Sequence, residues 1–240
     1  MKYGVIKDKK DKRDIIHNKK QFLAKLPKVI DLRVNCSPIV DQGELGSCTA
    51  NAIASGFREY LEKPFTTSLS RLFLYWEERK IENTINSDSG AQIRDGMKVL
   101  NKIGVCPEID WPYDISTFTN TPINTDLLDA SNYKISSYQR VTSLTMLKTA
   151  LSQNKIVVFG FNVYSSFESD IVAKTGLVPM PKKNEQLLGG HAVCAVGYDD
   201  NNQYVIVRNS WGSTWGDKGY CYMPYKVFNK LAMDMWTGSL

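Results

Sequence analysis

The chain has 240 residues, which is enough for one large domain or two lobes around a sizeable hydrophobic core. Its 42% hydrophobic and 23% charged residues are ordinary for a folded globular protein, and the small net charge of +5 does not by itself indicate a nucleic-acid partner. No apolar run approaches the roughly 18 residues of a membrane-spanning helix, so a membrane partner is not expected.

Residues 1–25 form a basic leader. Residues 1–28 contain ten lysine or arginine residues against three aspartates, a net charge of +7 that leaves −2 for the rest of the chain. The first ten residues lack the apolar segment of a secretory signal. We therefore expect a cytoplasmic or otherwise intracellular protein, with packaging into a virion or a missing upstream leader as the alternatives.

Apolar side chains within the leader suggest that it docks on a protein surface. His17 lies in no motif, and we expect it at the surface. The candidate apolar anchors are Val5, Ile6, Ile15, Ile16, Phe22 and Leu23.

The first half of the domain is predicted to be mainly helical. Cys48 begins a run with apolar side chains at helical spacing, and Pro64 ends it. Ser70 is a plausible N-cap for a second helix, and Gly104 a plausible C-terminal cap for a third. The three predicted helices span residues 48–63, 70–80 and 91–102.

The second half changes to β-branched and aromatic strands after a short helix near residues 143–153. Four strands are predicted, at residues 156–163, 191–198, 203–209 and 219–223. The switch from helices to strands predicts an α+β chain with two lobes.

Cys48 is the candidate nucleophile. A helix N-terminus offers free backbone N–H groups and the positive end of the helix dipole, which favour the reactive thiolate. Gln42, six residues earlier, has an amide donor for an oxyanion. His191 begins one predicted strand and Asn209 ends another, so a general base and a group to orient it lie in the opposite lobe. The site is therefore expected in the cleft between the lobes.

The surrounding stretches resemble the active-site signatures of the papain-like cysteine peptidases. They are Asp-Gln-Gly-Glu-Leu-Gly-Ser-Cys ending at Cys48, Leu-Gly-Gly-His ending at His191, and Asn-Ser-Trp-Gly starting at Asn209. Their order is the family's order, and His191 follows Cys48 by 143 residues (191 − 48), within the family's roughly 130–150. The resemblance runs from about Leu26 to the C-terminus.

The resemblance implies a two-lobed papain-like α+β fold with an antiparallel, β-barrel-like C-terminal lobe. The peptidase domain would cover residues 26–240. Within it, the boundaries are a helical lobe at about 26–135, a β lobe at about 136–228 and a C-terminal tail at 229–240.

The resemblance also implies a cysteine-type endopeptidase that hydrolyses peptide bonds through a Cys48 thiolate and a His191 imidazolium. Asn209 would orient the imidazole, Trp211 would shield that contact from water, and Gln42 would lie in the oxyanion hole. No cofactor or metal is implied. Four small residues would bind substrate, and they are Gly90, Ala91, Gly160 and Ala192.

Two departures from the family pattern bear on these expectations. Thr49 follows the nucleophile where the family usually has an aromatic residue. Leu45 stands where many secreted relatives have a disulfide cysteine, which favours a reducing compartment. A disulfide between Cys36 and Cys106 stays open as an alternative.

Several alternatives remain for the function. An exopeptidase or a dedicated processing enzyme would keep the same triad, and a papain-like fold could serve as a non-catalytic binding module. The leader could be a short inhibitory propeptide or a permanent belt around the domain. We expect a monomer whose partner is a peptide or protein substrate, with no nucleic acid and no membrane.

Overall fold

Helices are the main regular elements of the first half of the chain in a computed structural model, which describes residues 2–17 and 26–240. Helix α1 is continuous through the α-helical Cys48–Ala50, the π-helical Asn51–Arg58 and the α-helical Glu59–Leu61. Further helices of this half are α2 (Arg71–Ile81), α3 (Ile93–Lys102) and α4 (Asn124–Ala130). Short 3-10 helices lie at Arg33–Asn35, Ile115–Thr117, Ser131–Tyr133 and Ser165–Glu168.

The predicted helix boundaries follow from local capping. The Ser70 side chain accepts a hydrogen bond of 3.1 Å from the N–H of Phe73, which starts α2 as the sequence predicts. Beyond α3, Gly104 adopts a positive φ of 95°, and its N–H donates to the Val99 carbonyl at 2.9 Å. None of the described helices is long and apolar enough to cross a membrane.

A seven-stranded sheet forms the second lobe. Its strand order is β4-β9-β5-β6-β7-β8, all antiparallel, and β2 pairs with β6 beside this path. Strand β2 belongs to the segment that precedes helix α1, residues 26–47, which we call the N-terminal arm. This arm therefore crosses from the helical lobe into the sheet. The strands are β2 (Val29–Asp31), β4 (Ser137–Val141), β5 (Val157–Tyr164), β6 (Leu187–Asp199), β7 (Tyr204–Arg208), β8 (Tyr220–Pro224) and β9 (Ala232–Ser239).

Three helices belong to this second lobe. The predicted helix near residues 143–153 is present, capped by the Ser143 side chain. The helices are α5 (Leu144–Ser152), α6 (Asp170–Thr175) and α7 (Tyr225–Leu231).

Residues 229–240 are not a C-terminal tail, contrary to the expectation from the sequence. Strand β9 lies between β4 and β5 in the sheet, and Trp236 faces Val158 with its side chain fully buried. The segment Ala-Met-Asp-Met-Trp-Thr-Gly-Ser lacks the β-branched run that marks the other strands, so its pairing partners decide its structure.

The two lobes meet where α1 packs against β6. The Cys194 thiol donates to the Ala52 carbonyl at 3.1 Å, and a Cβ atom at Gly56 would lie 2.5 Å from the same sulfur. The buried Arg208 guanidinium donates to the Ser37 carbonyl at 2.6 Å and so joins the N-terminal arm to β7. The cleft between the lobes is therefore built on a rigid contact.

All five cysteines are free. Cys194 and Cys221 are buried in the sheet, as expected of core thiols. Cys36 is half-buried and Cys106 is buried, and the structure has no bond between them.

The described part of the leader, residues 2–17 (the leader segment), lies against the domain. Its strand β1 (Val5–Ile6) pairs in parallel with β3 (Ala91–Gln92), and Ile16 forms a parallel bridge to Arg140 of the edge strand β4. The leader therefore docks, but mainly not through its expected apolar anchors. Three of the expected anchors are exposed to solvent, namely Ile6, Ile15 and Ile16. Phe22 and Leu23 lie outside the described residues.

His17 is buried, so its expected surface position is wrong. Its N–H donates to the Arg140 carbonyl at 2.8 Å, and its Nδ1 lies 2.8 Å from the side-chain oxygen of Gln139. The main chain of the leader extends the ladder of β4, and this brings His17 over the sheet edge.

Candidate active site

Cys48 is the first residue of α1 and is fully buried at the cleft floor. Three backbone N–H groups, those of Ala192, Gly4 and Thr49, act on its sulfur as hydrogen-bond donors. Ala192 follows His191 in β6, so the sulfur of α1 faces the strand that carries the histidine. The sequence expectation that the triad spans both lobes matches this arrangement.

His191 and Asn209 form a direct hydrogen bond. Nε2 of the imidazole lies 2.7 Å from Oδ1 of Asn209, and this oxygen can only accept, so Nε2 carries the proton. Nδ1 is left as the basic nitrogen, and it is buried without a hydrogen-bond partner among the described residues. The ring of Trp211 covers the imidazole at a centroid distance of 4.9 Å, and Trp215 packs against Trp211 at 5.2 Å.

Gln42 is held rigidly beside Cys48. Its Oε1 accepts a hydrogen bond of 2.8 Å from the Ser210 hydroxyl, which orients Nε2 toward the cleft. Nε2 then donates to the carbonyls of Leu45 at 3.0 Å and of Lys2 at 3.2 Å. A backbone carbonyl of the leader thus contacts the donor that the sequence assigns to an oxyanion.

The leader segment fills the cleft over the candidate triad. The Tyr3 ring contacts the His191 ring edge-on at 6.1 Å and the Trp211 ring at 6.2 Å. Its hydroxyl donates to the Glu168 carboxylate. The Gly4 carbonyl accepts a hydrogen bond of 2.7 Å from the N–H of Ala91.

Only glycine fits at position 4 of the leader. A Cβ atom at Gly4 would lie 1.7 Å from the Gly46 carbonyl oxygen, and one at Gly90 would lie 2.0 Å from the Gly4 carbonyl oxygen. Gly90 also has a positive φ of 73°. The main chain of the leader therefore lies between two glycines of the cleft wall.

Val5 occupies a pocket beside this contact. A Cβ atom at Gly160 would lie 3.3 Å from Val5 Cγ1, and one at Gly190 would lie 2.6 Å from it. Met233 of β9 closes the far side of both glycines. Gly160, which the sequence proposes as a substrate-binding residue, therefore lies against Val5 of the leader. Gly190 and Met233 were not proposed; the Gly-Gly before His191 was a signal for the first, but nothing in the sequence marked the second.

The closed cleft favours neutral forms of Cys48 and His191, which differs from the expected thiolate–imidazolium pair. Burial raises the pKa of Cys48 to about 11, although its three N–H donors act against this rise. Burial also lowers the pKa of His191 to about 4, although the bond to Asn209 partly offsets it. Both shifts have the same main cause, because burial removes water from the charged forms.

Charged groups anchor the leader beyond the cleft. The Asp8 carboxylate accepts from the indole N–H of Trp236 at 2.7 Å and from Arg140 at 3.3 Å. Asp14 pairs with Arg94 at 2.7 Å and with Arg140 at 3.1 Å. These five side chains are the anchor cluster, and its buried pairs hold the leader over the sheet edge.

Glu78 is a buried acid behind the nucleophile that the sequence did not single out. Its Oε2 accepts a hydrogen bond of 2.7 Å from the hydroxyl of Thr49, while Oε1 has no partner within residues 2–17 and 26–240. Burial raises the pKa of Glu78 well above its ordinary value of 4.5. The threonine next to Cys48 is therefore part of a polar contact with a buried acid whose neutral form is favoured.

Glu78→Gln is expected to stabilise the protein at alkaline pH. Since folding raises the pKa of Glu78, its favourable contribution is complete below pH 4.5 and is lost as the pH rises toward the raised value. We expect the Tm at pH 8 to increase by about 2–4 °C, the shift for roughly 1 kcal/mol in a chain of this size. The gain should shrink toward pH 4 in thermal unfolding followed by circular dichroism.

The matched control is Glu185→Gln. The hydrogen bonds of Ser166 and Lys182 to the Glu185 carboxylate lower its pKa, so its replacement should give no alkaline gain. An equal change of Tm for Glu78→Gln at both pH values would contradict the buried-acid interpretation, because it would indicate a packing effect.

Comparisons with known proteins agree on one family. The family model described as papain family cysteine protease matches residues 26–236. An uncharacterized peptidase C1-like protein, L477, of Acanthamoeba polyphaga mimivirus is 44% identical, over 98% of this chain and 85% of its own length. Cysteine proteinase 1 of Entamoeba histolytica is 34% identical over 82% of this chain, which spans 63% of that protein.

A solved structure supports the same relationship. The crystal structure of xylellain, a cysteine protease from Xylella fastidiosa, has a TM-score of 0.89 and 42% sequence identity. The match covers 99% of this chain and 95% of that one. The likeness thus includes the helical lobe, the sheet and the leader segment.

Proposed function

Because the chain belongs to the papain family of cysteine proteases, we propose that it hydrolyses peptide bonds through Cys48, His191 and Asn209, and that its leader keeps it latent. The observation that carries this proposal is the hydrogen bond that Nε2 of Gln42 donates to the Lys2 carbonyl, next to the buried Cys48. A peptide carbonyl is the group that such a nucleophile attacks.

The reaction would begin when the leader leaves the cleft and water enters. The proton of the Cys48 thiol then passes to Nδ1 of His191, and the pair becomes thiolate and imidazolium. The thiolate adds to the scissile carbonyl carbon. The oxygen becomes negatively charged and is stabilised by Nε2 of Gln42 and the backbone N–H of Cys48.

His191 would act first as an acid and then as a base. Its Nδ1 proton passes to the leaving amine as the C–N bond breaks, which leaves an acyl group on the Cys48 sulfur. The neutral imidazole then takes a proton from water, and the resulting hydroxide adds to the thioester carbonyl carbon. The C–S bond then breaks, which releases the carboxylic acid and returns Cys48 as a thiolate beside the protonated imidazole. Asn209 holds the ring in the tautomer that leaves Nδ1 free, and Trp211 covers the bond between them.

An endopeptidase is favoured over an exopeptidase by the course of the leader. From Gly4 the main chain continues through Val5 and Ile6, which pair with β3, and reaches the bridge between Ile16 and Arg140. An extended peptide could pass along the same side of the cleft, where Ala91 and Gly90 would contact its main chain.

The leader is proposed to be an intramolecular inhibitor, not a permanent belt. It covers Cys48, places Tyr3 against the imidazole and occupies the pocket beside Gly160 with Val5. A belt alone would need none of these contacts with the candidate catalytic residues.

The test is labelling with an epoxysuccinyl cysteine-protease inhibitor at neutral pH, read by intact mass and peptide mapping. We expect slow single addition at Cys48 in the full chain and fast addition once residues 1–25 are removed. Cys36, the half-buried thiol, reports general reactivity toward iodoacetamide in both forms. Absence of inhibitor labelling in both forms, while iodoacetamide still reaches Cys48, would refute the peptidase and favour a binding module.

A further inference from the structure

Asp88 lies at the rim of the cleft, and its carboxylate is held in place on three sides. Oδ1 accepts from the Tyr75 hydroxyl at 2.6 Å and from the N–H of Gly46 at 3.0 Å. Oδ2 lies 2.5 Å from Nζ of Lys2 in the leader. The Asp88 side chain is only 10% exposed while the leader is bound. A carboxylate with this many fixed donors has one orientation, toward the cleft.

The position of Asp88 relative to the reacting groups is set by Gly46. Gly46 precedes Cys48 by two residues, so the carboxylate is fixed to the same turn that presents the nucleophile. Lys2, whose Nζ pairs with Asp88, also has the backbone carbonyl that accepts a hydrogen bond from Nε2 of Gln42. Lys2 therefore joins the oxyanion donor at one end and the rim carboxylate at the other.

Removal of the leader would leave this carboxylate without its cation. Tyr75 and Gly46 belong to the domain and would keep their hydrogen bonds to Asp88. Among the described residues, Lys2 is the basic residue that forms an ion pair with Asp88. Burial alone would raise the pKa of Asp88. The hydrogen bonds from Lys2, Tyr75 and the N–H of Gly46 together lower this pKa by more, so the net shift is downward and the carboxyl group is ionised at neutral pH.

Arg79 is the nearest other cation acting on this region, and it does not replace Lys2. Its guanidinium is buried and donates to backbone carbonyls, those of Ile85 at 2.6 Å, of Ser87 at 3.3 Å and of Phe118 at 2.5 Å. Its donors are thus used to hold the loop before Asp88. An open cleft would present a fixed, partly buried negative charge that a mobile cation can reach.

We propose that Asp88 is a specificity-determining residue that selects substrates with lysine or arginine as the residue supplying the scissile carbonyl. The inference rests on the peptidase function proposed above and names its substrate class. Lys2 would then be the leader's imitation of that residue. A neutral side chain at the same place leaves the carboxylate desolvated and unpaired, and this disfavours such substrates.

The experiment compares two peptidyl chloromethyl ketones that differ only in lysine or norleucine next to the ketone. Each forms one thioether bond to Cys48 with loss of chloride, so its second-order rate constant reports recognition without turnover. We would measure both constants in the full-length chain, in Asp88→Asn and in Lys2→Ala. The ratio of the two constants cancels the fraction of molecules whose cleft is open, which both variants alter.

We expect the lysine ketone to react at least about tenfold faster in the wild-type chain, the scale of a charge-assisted contact in a partly buried site. Lys2→Ala should raise both constants and keep their ratio. Asp88→Asn should bring the ratio to within about threefold of unity. A wild-type ratio near unity overturns the inference without any variant, and so does an unchanged ratio in Asp88→Asn.

The two proposals fail in distinguishable ways. If the epoxysuccinyl inhibitor modifies Cys48 while the ketones do not discriminate or do not react, only the role of Asp88 is overturned. If that inhibitor does not modify Cys48 even in the leader-free chain, the peptidase function fails and the specificity inference fails with it.

Discussion

Gly4→Val is expected to activate the full-length chain. A Cβ atom at this position would lie 1.7 Å from the carbonyl oxygen of Gly46, and Gly46 cannot move away because its N–H is fixed on Asp88. Overpacking of this kind costs about 1–3 kcal/mol. Since about 1.4 kcal/mol changes an equilibrium tenfold, the initial rate of fluorogenic peptide hydrolysis should rise roughly 10- to 100-fold.

The matched control for this variant is Ile6→Ala. Ile6 lies in β1, which begins directly after Gly4, and it is 40% exposed. Its rate should stay near that of the wild-type chain. An unchanged rate in Gly4→Val would mean that the leader does not limit access to Cys48, and the inhibitory role would then be abandoned.

Cys48→Ser, placed in the Gly4→Val chain, is expected to abolish hydrolysis. A serine hydroxyl is not ionised by the neighbouring imidazole at neutral pH, whereas a thiol is, so the substituted nucleophile is far weaker. Removing the nucleophile of a comparable triad lowers kcat by roughly 10⁶-fold, and we expect a loss of kcat/KM of at least about 10⁴-fold.

Cys36→Ser in the same background is the control for loss of a thiol. Cys36 lies 12 residues before Cys48 (48 − 36), and its thiol donates to the Leu32 carbonyl at 3.6 Å. Its kcat/KM should remain within about threefold of the parent, the scale of an ordinary surface substitution. Residual hydrolysis above about 1% in Cys48→Ser would point to a different nucleophile.

The fold and the candidate catalytic residues were predictable because they depend on local rules. Ser70 caps a helix through a contact three residues away, and the apolar side chains after Cys48 recur at the spacing of a helix. His191 lies within β6 and Asn209 directly after β7, so the turn between these strands brings them together. The order of the motifs suggested a role for each residue, and the pairing of β6 with β7 accounts for the short distance between His191 and Asn209.

What the sequence did not reveal depends on partners that are distant along the chain. Asp8 and Asp14 meet Arg94 and Arg140 across 80 or more positions of the chain, so the leader is anchored by its aspartates rather than by the apolar side chains that suggested docking. Strand β9 likewise follows from its neighbours rather than from its residues. Burial raises the pKa of Cys48 in the closed cleft, and no pattern around the cysteine could predict that burial.

The leader segment and the cleft that it fills belong to one polypeptide, and this has a consequence for how the protein responds to dilution. A tethered inhibitor acts at an effective concentration of order millimolar, whatever the concentration of the protein itself. With the proposed inhibitory role, dilution would therefore leave the uncut chain equally latent. One backbone cut after the segment would turn it into a separate peptide, whose occupancy falls as the volume grows. Latency would then be a property of connectivity, and a single hydrolytic event would make activation irreversible in any dilute compartment.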